Sequence, residues 1–416
     1  MNMVAHHLKK NSRRGSISLM DKIITDEKKI EELLTRGVED IIVKDDLKNA
    51  LLSGKQLRVK LGIDPTGGKI HIGRAIPLRK LREFQKLGHQ VVLIVGDFTA
   101  QVGDASDKTE KRPMLTRAQI DENLKDYKSQ ISKILDISKT EFVYNNDWLS
   151  KLTFGEVTKL ADSFTVQQML SRRNFKDRFD NGTEISLREF MYPLMQGYDS
   201  VAVKADVEIG GFDQLFNLKA GRTVQELYKQ PKQNIITFSM LEGTDGRKMS
   251  TSWGNMITIV DEPFDMFGKI MAVHDDLIIK YFMLCTDVSL EAIQKYEIDI
   301  KHGKNPKDIK IKLALEIVKL YHSEKEASQA KKTWVETFEK KGIPEELKEI
   351  VTKEGEELGD ILVREGIVSS KTDWRRLVNE GAISDKDGNT ITNVKEKVKN
   401  VTLKIGKKRF AKVVVK

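Results

Sequence analysis

The chain contains 416 residues, enough for two or three domains with buried cores. Lysine and arginine number 71 against 62 acidic residues, a net charge of +9 that mildly favours a polyanionic partner. No apolar run is long enough to cross a membrane, and the single cysteine, Cys285, excludes an internal disulfide and argues against a cysteine-based metal site. These properties predict a cytoplasmic globular protein with no membrane segment and no metal site of its own.

Residues 1–19 are basic but lack the apolar segment of a secretory signal, so we expect a flexible extension here. From residue 20 to 262, apolar β-rich runs alternate with helical patterns, which predicts an α/β domain with a parallel sheet. The expected strands are 57–64, 90–97, 141–147 and 234–240, and the expected helices are about 72–88, 116–136, 187–203 and 213–229.

From residue 263 to 350 the apolar residues recur with a helical period, which predicts an α-helical domain. Residues 355–416 form a small mixed unit, with a helix at "SSKTDWRRLVNEG" and alternating strands at the end. Nine Lys or Arg residues lie between Lys395 and Lys416, with Glu396 as the one acid. This density suits contacts with nucleic-acid phosphates, although a solvated charged tail would show the same composition.

Two segments have the composition of phosphate sites. "GIDPTGGKIHIGR" predicts a strand ending at Asp64, a glycine-rich turn and a helix beginning near His71, where free N–H groups and the donors of Arg74 suit an anion. Gly73 would let a nucleotide approach the backbone closely. "GRKMSTSWGN" places Lys248 and several hydroxyls in a glycine-flanked loop that can hold a pyrophosphate. Alone, the first segment is also consistent with an ordinary βα turn, and the second with a solvated polar loop.

A third segment, "FMYPLMQGYDSVAVKADVEIGGFDQLFNL", places Tyr192, Gln196 and Asp199 on one face of a helix. Large polar groups on an otherwise apolar face need partners, and a polar ligand would supply them. Asp213 and Gln214 follow at a second glycine-rich turn into a helix, where a carboxylate can cap the helix or accept from ribose hydroxyls.

In this order, the three segments resemble those of class I aminoacyl-tRNA synthetases, and specifically of bacterial tyrosyl-tRNA synthetases. "HIGR" is similar to the family's HIGH motif and "KMSTS" to its KMSKS motif, while "LGDILVREGIVSSKTDWRRLVNEGAI" resembles a small RNA-binding fold shared with a ribosomal protein. The resemblance covers about residues 21–416. It implies a Rossmann-like catalytic domain of the HUP type at 20–262, a helical anticodon-binding domain at 263–350 and a small basic α+β RNA-binding domain at 355–416.

The implied reaction has two steps. The carboxylate of L-tyrosine attacks the α-phosphate of ATP, which Mg²⁺ accompanies, to give tyrosyl-adenylate and pyrophosphate; the tyrosyl group then passes to the 3′-terminal ribose of tRNA(Tyr). No covalent enzyme intermediate forms, so the rate comes from positioning and from stabilising phosphate charge. The resemblance also implies a homodimer.

The resemblance assigns roles to residues of this sequence. Asp199 would accept the phenolic hydroxyl of tyrosine, and phenylalanine would leave this buried acceptor without its partner. The tyrosine-binding set is Lys60, Asp104, Tyr192, Gln196, Asp199 and Gln214. The ATP-binding set is Asp64, His71, Gly73, Gly211, Asp213 and Lys248, and the catalytic set is Thr66, His71, Arg74, Lys248 and Thr251.

The sequence departs from the family pattern at several of these positions. Thr251 replaces the second lysine of KMSKS and Arg74 the last histidine of HIGH, and we hypothesise that Arg74 and Arg247 partly restore the lost charge. Lys60 stands where many members have a tyrosine that contacts the phenol, Phe212 replaces a small hydroxyl residue, and "GDASDK" departs from the common GDPSGK.

Three other hypotheses stay open. A tryptophanyl-tRNA synthetase would share the fold and the ATP motifs, although Asp199 and the basic C-terminal unit favour the tyrosine branch. An inactive paralogue that only binds RNA is suggested by Thr251 and Arg74, against the many site residues that are retained. A nucleotidyltransferase acting on a small molecule would have no use for the basic C-terminal unit.

Overall fold

The computed structural model describes residues 22–104, 114–250, 253–338, 347, 349–386, 388–406 and 409–415. The predicted extension at 1–19, the predicted catalytic residue Thr251 and most of "GDASDK" lie outside these residues. The chain divides into two compact units, Met1–Val260 with Val273–Ile298 and Asp261–Ala272 with Asp299–Lys416. The domain boundaries derived from the sequence stay predictions. In the part of the chain that is described, no helix is both long and apolar enough to cross a membrane.

The strands are β1 Val38–Ile42, β2 Arg58–Ile63, β3 Gln90–Val95, β4 Thr140–Tyr144, β5 Val207–Gly211, β6 Asn234–Phe238, β7 Glu349–Thr352, β8 Ile383–Asp385, β9 Val401–Ile405 and β10 Arg409–Val415. The α-helices are α1 Glu27–Thr35, α2 Lys44–Leu52, α3 Ile72–Lys86, α4 Thr99–Val102, α5 Arg117–Leu124, α6 Tyr127–Ser132, α7 Asn146–Leu149, α8 Phe154–Ala161, α9 Val166–Leu170, α10 Arg173–Asp180, α11 Leu187–Val203, α12 Leu215–Leu227, α13 Pro263–Met271, α14 Ile278–Cys285, α15 Leu290–Lys301, α16 Pro306–Tyr321, α17 Glu324–Phe338, α18 Leu358–Arg364 and α19 Lys371–Asn379.

The first unit contains a six-stranded sheet in the order β1-β6-β5-β2-β3-β4. β1 pairs antiparallel with β6 and the other neighbours are parallel, which confirms the α/β prediction. Every residue of β3 after Gln90 is buried, as expected for a parallel strand covered on both faces. The sequence patterns missed β1 and β5, and the single helix expected at 116–136 is two helices, α5 and α6.

The strand order reverses between β2 and β5. β2 leads through β3 to β4 on one side, and β5 leads to β6 on the other. At such a reversal the connecting helices leave on opposite faces, and a crevice opens at the carboxyl ends of the strands. α3 follows β2 and α12 follows β5, so both helices begin at this edge.

α11 lines the crevice and is anchored by a buried ion pair to α10. Arg178 Nη1 and Nη2 donate to the two carboxylate oxygens of Glu189 at 2.9 and 3.0 Å, and both side chains are almost fully buried. Burial raises the pKa of Glu189, but the hydrogen bonds from Arg178 and from the Ser186 backbone outweigh it and lower that pKa. Glu189 also completes the capping box that starts α11 at Ser186. The helix that carries Tyr192, Gln196 and Asp199 is therefore fixed at its N-terminus.

The second unit contains a helical part and a small sheet. α13 and α17 contact through Phe267 and Trp334, whose ring centroids lie 5.9 Å apart. The C-terminal sheet has the order β7-β10-β9-β8, with β7 and β10 parallel. Its core includes Trp374 of α19, whose indole nitrogen donates to the Val394 carbonyl at 2.8 Å. The terminal strands expected from the sequence are present as β9 and β10.

Candidate active site

A cavity of about 360 Å³ opens at the carboxyl ends of β2, β3 and β5, where the strand order reverses. Its wall includes most of the residues predicted from the sequence: Asp64, Thr66, His71, Gly73, Arg74, Asp104, Tyr192, Gln196, Asp199, Gly211, Asp213, Gln214 and Lys248. Segments up to about 180 residues apart in the chain therefore meet at one site, as the order of the parallel strands requires. Lys60 is absent from this wall and is described below.

The N-terminus of α3 forms one side of the cavity. His71 is its N-cap residue, and the imidazole Nδ1 accepts from the Arg74 backbone N–H at 3.3 Å. Burial, together with the nearby charges of Arg74 and Lys248, lowers the pKa of His71 to about 3. The imidazole is therefore neutral, and because Nδ1 accepts, the proton lies on Nε2, where it can be donated to a ligand. A Cβ on Gly73 would lie 3.1 Å from Nδ1, so a side chain there would crowd this histidine.

Arg74 extends along the same side of the cavity. Its Nη2 donates to Thr66 Oγ1 at 2.7 Å, and its Nη1 donates to the hydroxyl of Tyr127 at 3.3 Å. The arginine that replaces the histidine of the family motif thus brings a full positive charge to the cavity wall. Tyr127 was missed in the sequence, because it lies on α6, far along the chain from the motif.

A second cation, Lys248, lies on the same cavity wall as Arg74. Lys248 Nζ pairs with Asp213 Oδ2 at 2.9 Å and joins the "KMS" segment to the turn after β5. Arg247 lies differently: it is 57% exposed, donates to Asp245 at 2.8 Å and stacks over Trp253 with 4.3 Å between its guanidinium carbon and the ring centre. Of the two arginines expected to restore charge, only Arg74 lies on the cavity wall.

Carboxylates and amides form the opposite side. Asp104 Oδ2 accepts from Gln214 Nε2 at 2.7 Å, and Asp104 Oδ1 accepts from Asn217 Nδ2 at 3.4 Å. The hydroxyl of Tyr192 donates to Asp64 Oδ2 at 2.9 Å. Burial and the nearby carboxylates raise the pKa of Tyr192 well above its ordinary value, so its hydroxyl stays protonated.

Asp199 lies at the inner end, in one of the most buried parts of the cavity. Trp148 Nε1 donates to its Oδ1 at 2.8 Å, and Asn145 Nδ2 donates to its Oδ2 at 3.3 Å. Burial raises the pKa of Asp199 to about 7, and these donors and the charge of Lys60 only partly oppose the rise. Trp148 and Asn145 follow β4 in the segment "YNNDW", for which the sequence predicted only the end of a strand.

Lys60 and Glu208 form a buried ion pair at this inner end. Lys60 Nζ lies 3.1 Å from Glu208 Oε1, and each side chain is only 1% exposed. Lys60 Nζ also donates to the main-chain carbonyl of Gln196 at 3.2 Å. The structure thus places Lys60 behind Gln196, and it adds Glu208, which the sequence analysis did not identify.

The two ends of the cavity differ in chemistry. One combines a helix N-terminus, a neutral imidazole and the cations Arg74 and Lys248, a combination that binds phosphates. The other presents the acceptors Asp104 and Asp199, which suit an ammonium group and a hydroxyl. The cavity therefore fits a ligand with phosphates at one end and a cationic, hydroxyl-bearing group at the other. Among the described residues, no group of three or more His, Cys, Asp or Glu side chains is arranged to hold a metal ion.

The model of the family "tRNA synthetases class I (W and Y)" matches residues 52–339. The tyrosine–tRNA ligase of Thermotoga maritima is 45% identical over 94% of this chain and 98% of its own length. The chain belongs to the tyrosyl-tRNA synthetase family. A second family member, the tyrosine–tRNA ligase of Carboxydothermus hydrogenoformans, is 46% identical over 92% of this chain and 97% of its own length.

Solved tyrosyl-tRNA synthetases share the fold. The enzyme of Archaeoglobus fulgidus, solved with L-tyrosine, superposes with a TM-score of 0.59 at 22% identity, over 74% of this chain and all of its own. The C-terminally truncated mitochondrial enzyme of Coccidioides posadasii gives a TM-score of 0.58 at 25% identity, over 74% of this chain and 90% of its own.

Asp199 makes the stability of the fold depend on pH in a defined direction. Its folded-state pKa of about 7 lies above the ordinary value of 3.8, so its contribution is full at low pH and is lost as the pH rises through 7. We expect the free energy of unfolding of the wild type, relative to Asp199→Asn, to fall between pH 5.5 and pH 8. Urea denaturation of both proteins at both pH values measures this difference. A difference that is constant with pH, or that grows, would contradict the assignment.

Proposed function

We propose that this chain activates L-tyrosine with ATP and transfers it to tRNA(Tyr). The observation that carries the proposal is the cavity itself, where the buried acceptor Asp199 lies at one end and Arg74 and Lys248 at the other. The relatives at 45–46% identity, which are named tyrosine–tRNA ligases and match almost the whole chain, support it. The buried acceptor Asp199 and the names of these relatives both argue against the tryptophan branch of the same family.

At the inner end, tyrosine would bind through its hydroxyl and its ammonium group. The phenol donates to the Asp199 carboxylate, adding a donor to those of Trp148 and Asn145. The ammonium group donates to Asp104, to the hydroxyl oxygen of Tyr192 and to the amide oxygen of Gln196. Gln214, held by Asp104 at 2.7 Å, lies where it can donate to the tyrosine carboxylate.

At the outer end, ATP would place its phosphates against the N-terminus of α3. His71 Nε2, the Thr66 hydroxyl and the Lys248 ammonium donate to phosphate oxygens, and Arg74 adds charge where the leaving pyrophosphate develops it. Asp213 and the backbone of Gly211 meet the ribose. Mg²⁺ would accompany ATP and neutralise part of the phosphate charge, held largely by phosphate oxygens and water.

The chemical step needs no covalent bond to the protein. An oxygen of the tyrosine carboxylate forms a bond to the α-phosphorus, and the bond from that phosphorus to the bridging oxygen of pyrophosphate breaks. The residues act by holding the two reactants close and by stabilising charge on the phosphates. A hydroxyl of the terminal tRNA ribose then attacks the tyrosyl carbonyl, and AMP leaves.

The second unit would bind tRNA. In the described part of the chain, lysines and arginines recur along β9, β10 and the segment before them, and such a surface suits the phosphates of a polynucleotide. Its helices α13, α16 and α17 would meet the anticodon region, as the resemblance to the family implies. A cytoplasmic location is the one we propose, because the relatives at 45–46% identity come from bacteria, in which translation occurs in the cytoplasm.

A second copy of the chain is the partner we propose for an exposed apolar surface of the first unit. Phe154, Val166, Phe179 and Leu187 are between 60% and 88% exposed, on the successive helices α8 to α11. Large apolar side chains exposed on adjoining elements are typical of association surfaces. A homodimer would cover them.

The direct test is ATP–pyrophosphate exchange by the purified protein, with tyrosine, phenylalanine and tryptophan assayed in parallel. We expect exchange with tyrosine alone. Exchange with tryptophan would assign the chain to the other branch of the family. No exchange with any of the three, together with intact tRNA binding, would support an RNA-binding paralogue without catalytic activity.

Arg74 and Arg247 form a matched pair for testing how the loop tolerates Thr251. Because Arg74 lies on the cavity wall, Arg74→Ala should lower tyrosine-dependent exchange at least about tenfold. Arg247 bonds Asp245 at the surface, so Arg247→Ala should change the rate by no more than about twofold. Equal losses would show that both arginines act on the phosphates, and two unchanged rates would exclude any restoration of charge by either.

A further inference from the structure

The Lys60–Glu208 pair lies on adjacent strands in register. Lys60 of β2 is the pairing partner of Glu208 of β5, so both side chains leave the same face of the sheet beside α11. Their charged atoms lie 3.1 Å apart, and each side chain is 1% exposed. Removing two charges from water is costly, and a buried ion pair often contributes little net stability. Stability alone therefore does not account for the presence of this buried ion pair.

Both oxygens of Glu208 are occupied by donors. Oε1 accepts from Lys60 Nζ and from the side-chain amide nitrogen of Gln196 at 3.0 Å. Oε2 accepts from the hydroxyl of Ser200 at 3.3 Å and from the amide nitrogen of Gln233. Glu208 itself lies on the cavity wall, and of its four partners Gln196 is the one that also lines the cavity.

Glu208 fixes the orientation of the Gln196 amide by its chemistry. A carboxylate only accepts hydrogen bonds, so the NH₂ group of Gln196 has to face it. The amide oxygen is then the polar atom that Gln196 offers to a ligand. Lys60 reinforces this arrangement, because its ammonium group also bonds the main-chain carbonyl of Gln196 at 3.2 Å. The ion pair thus holds Gln196 by its backbone and by its side chain.

We infer that Glu208 is a positioning residue for amino-acid recognition, which with Lys60 holds the Gln196 amide oxygen as an acceptor for the substrate's ammonium group. The inference rests on the proposed function and deepens it. Lys60 acts from behind Gln196, so the lysine in place of the family's tyrosine supports the ammonium site through Glu208.

Glu208→Gln keeps the shape of the side chain but removes the acceptor-only group. The Gln196 amide then has no fixed orientation and offers its NH₂ to the cavity in part of the population. We expect the Kd of L-tyrosine to rise about tenfold, the effect of losing one charge-assisted contact. The Kd of 3-(4-hydroxyphenyl)propionate, which lacks only the ammonium group, should change less than about twofold. Calorimetry and ligand-observed NMR competition measure the two constants into the millimolar range.

Ser200→Ala is the matched control. It removes a donor to the other oxygen of the same carboxylate at a side chain that is fully buried, and this hydroxyl bonds Glu208 rather than the Gln196 side chain. Both Kd values should stay within about twofold of the wild type. Because Glu208→Gln leaves Lys60 buried without its counter-charge, the double variant Lys60→Met with Glu208→Gln provides a folded alternative. It removes two charges that act on the pKa of Asp199 in opposite directions, so it should show the same selective loss.

Equal weakening of both ligands would show a purely structural role and overturn the inference, and so would an unchanged Kd for tyrosine. A wild type that binds no tyrosine would overturn the proposed function, and the inference with it. Wild-type binding therefore separates the failure of the function from the failure of the positioning role.

Discussion

A carboxylate buried in a protein has to be surrounded by donors, because desolvation otherwise raises its pKa until it takes up a proton. Asp199 meets this constraint only in part. Trp148, Asn145 and the charge of Lys60 oppose the effect of burial, yet the pKa of Asp199 stands at about 7. A phenolic hydroxyl that donates to this carboxylate would add a further hydrogen bond that favours its charged form. The inner end of the cavity is thus built around a group that a tyrosine side chain completes and a phenylalanine side chain does not.

The topology of the sheet keeps this acceptor apart from the cations. The order of the strands reverses between β2 and β5, so the residues that follow these strands face one crevice from two sides. α3 brings His71 and Arg74 to one side, and α11 brings Tyr192, Gln196 and Asp199 to the other. Because the acceptors and the cations lie on different sides, an amino acid can place its ammonium group on one side and a nucleotide its phosphates on the other. The reacting atoms of the two ligands then lie between them.

The same region explains how a lysine can stand where the family often has a tyrosine. Lys60 bonds Glu208 and the backbone of Gln196. The charge of Lys60 opposes the rise in the pKa of Asp199, whereas the charge of Glu208 adds to it. One buried ion pair therefore bears on both polar groups of the substrate. Its two members lie far apart in the chain but in register on adjacent strands, which is why neither could be linked to the other from the sequence.

Much of the fold was predictable from local patterns. β2, β3, β4 and β6 were found because their apolar runs are long, whereas β1 ("VEDII") carries two acids at the sheet edge and β5 ("VEIGG") ends in glycines. The motifs identified many of the residues on the cavity wall, but they missed Tyr127, Asn145 and Glu208, which also line it, and Trp148, which holds Asp199. Trp148, Tyr127 and Glu208 act through contacts between distant segments, for which a single sequence carries no signal. Arg247 adjoins Lys248 in the chain, but its side chain bonds Asp245 and does not lie on the cavity wall, a difference that adjacency in the sequence cannot show.

The central claim is that Asp199 selects the amino acid, and the ratio of kcat/KM for tyrosine to that for phenylalanine in ATP–pyrophosphate exchange tests it most directly. In Asp199→Asn the single amide oxygen would serve Trp148, and an NH₂ group would stand where a phenol has to donate. The account predicts that this ratio collapses in the variant, mainly through loss of activity with tyrosine. A ratio equal to that of the wild type would contradict it.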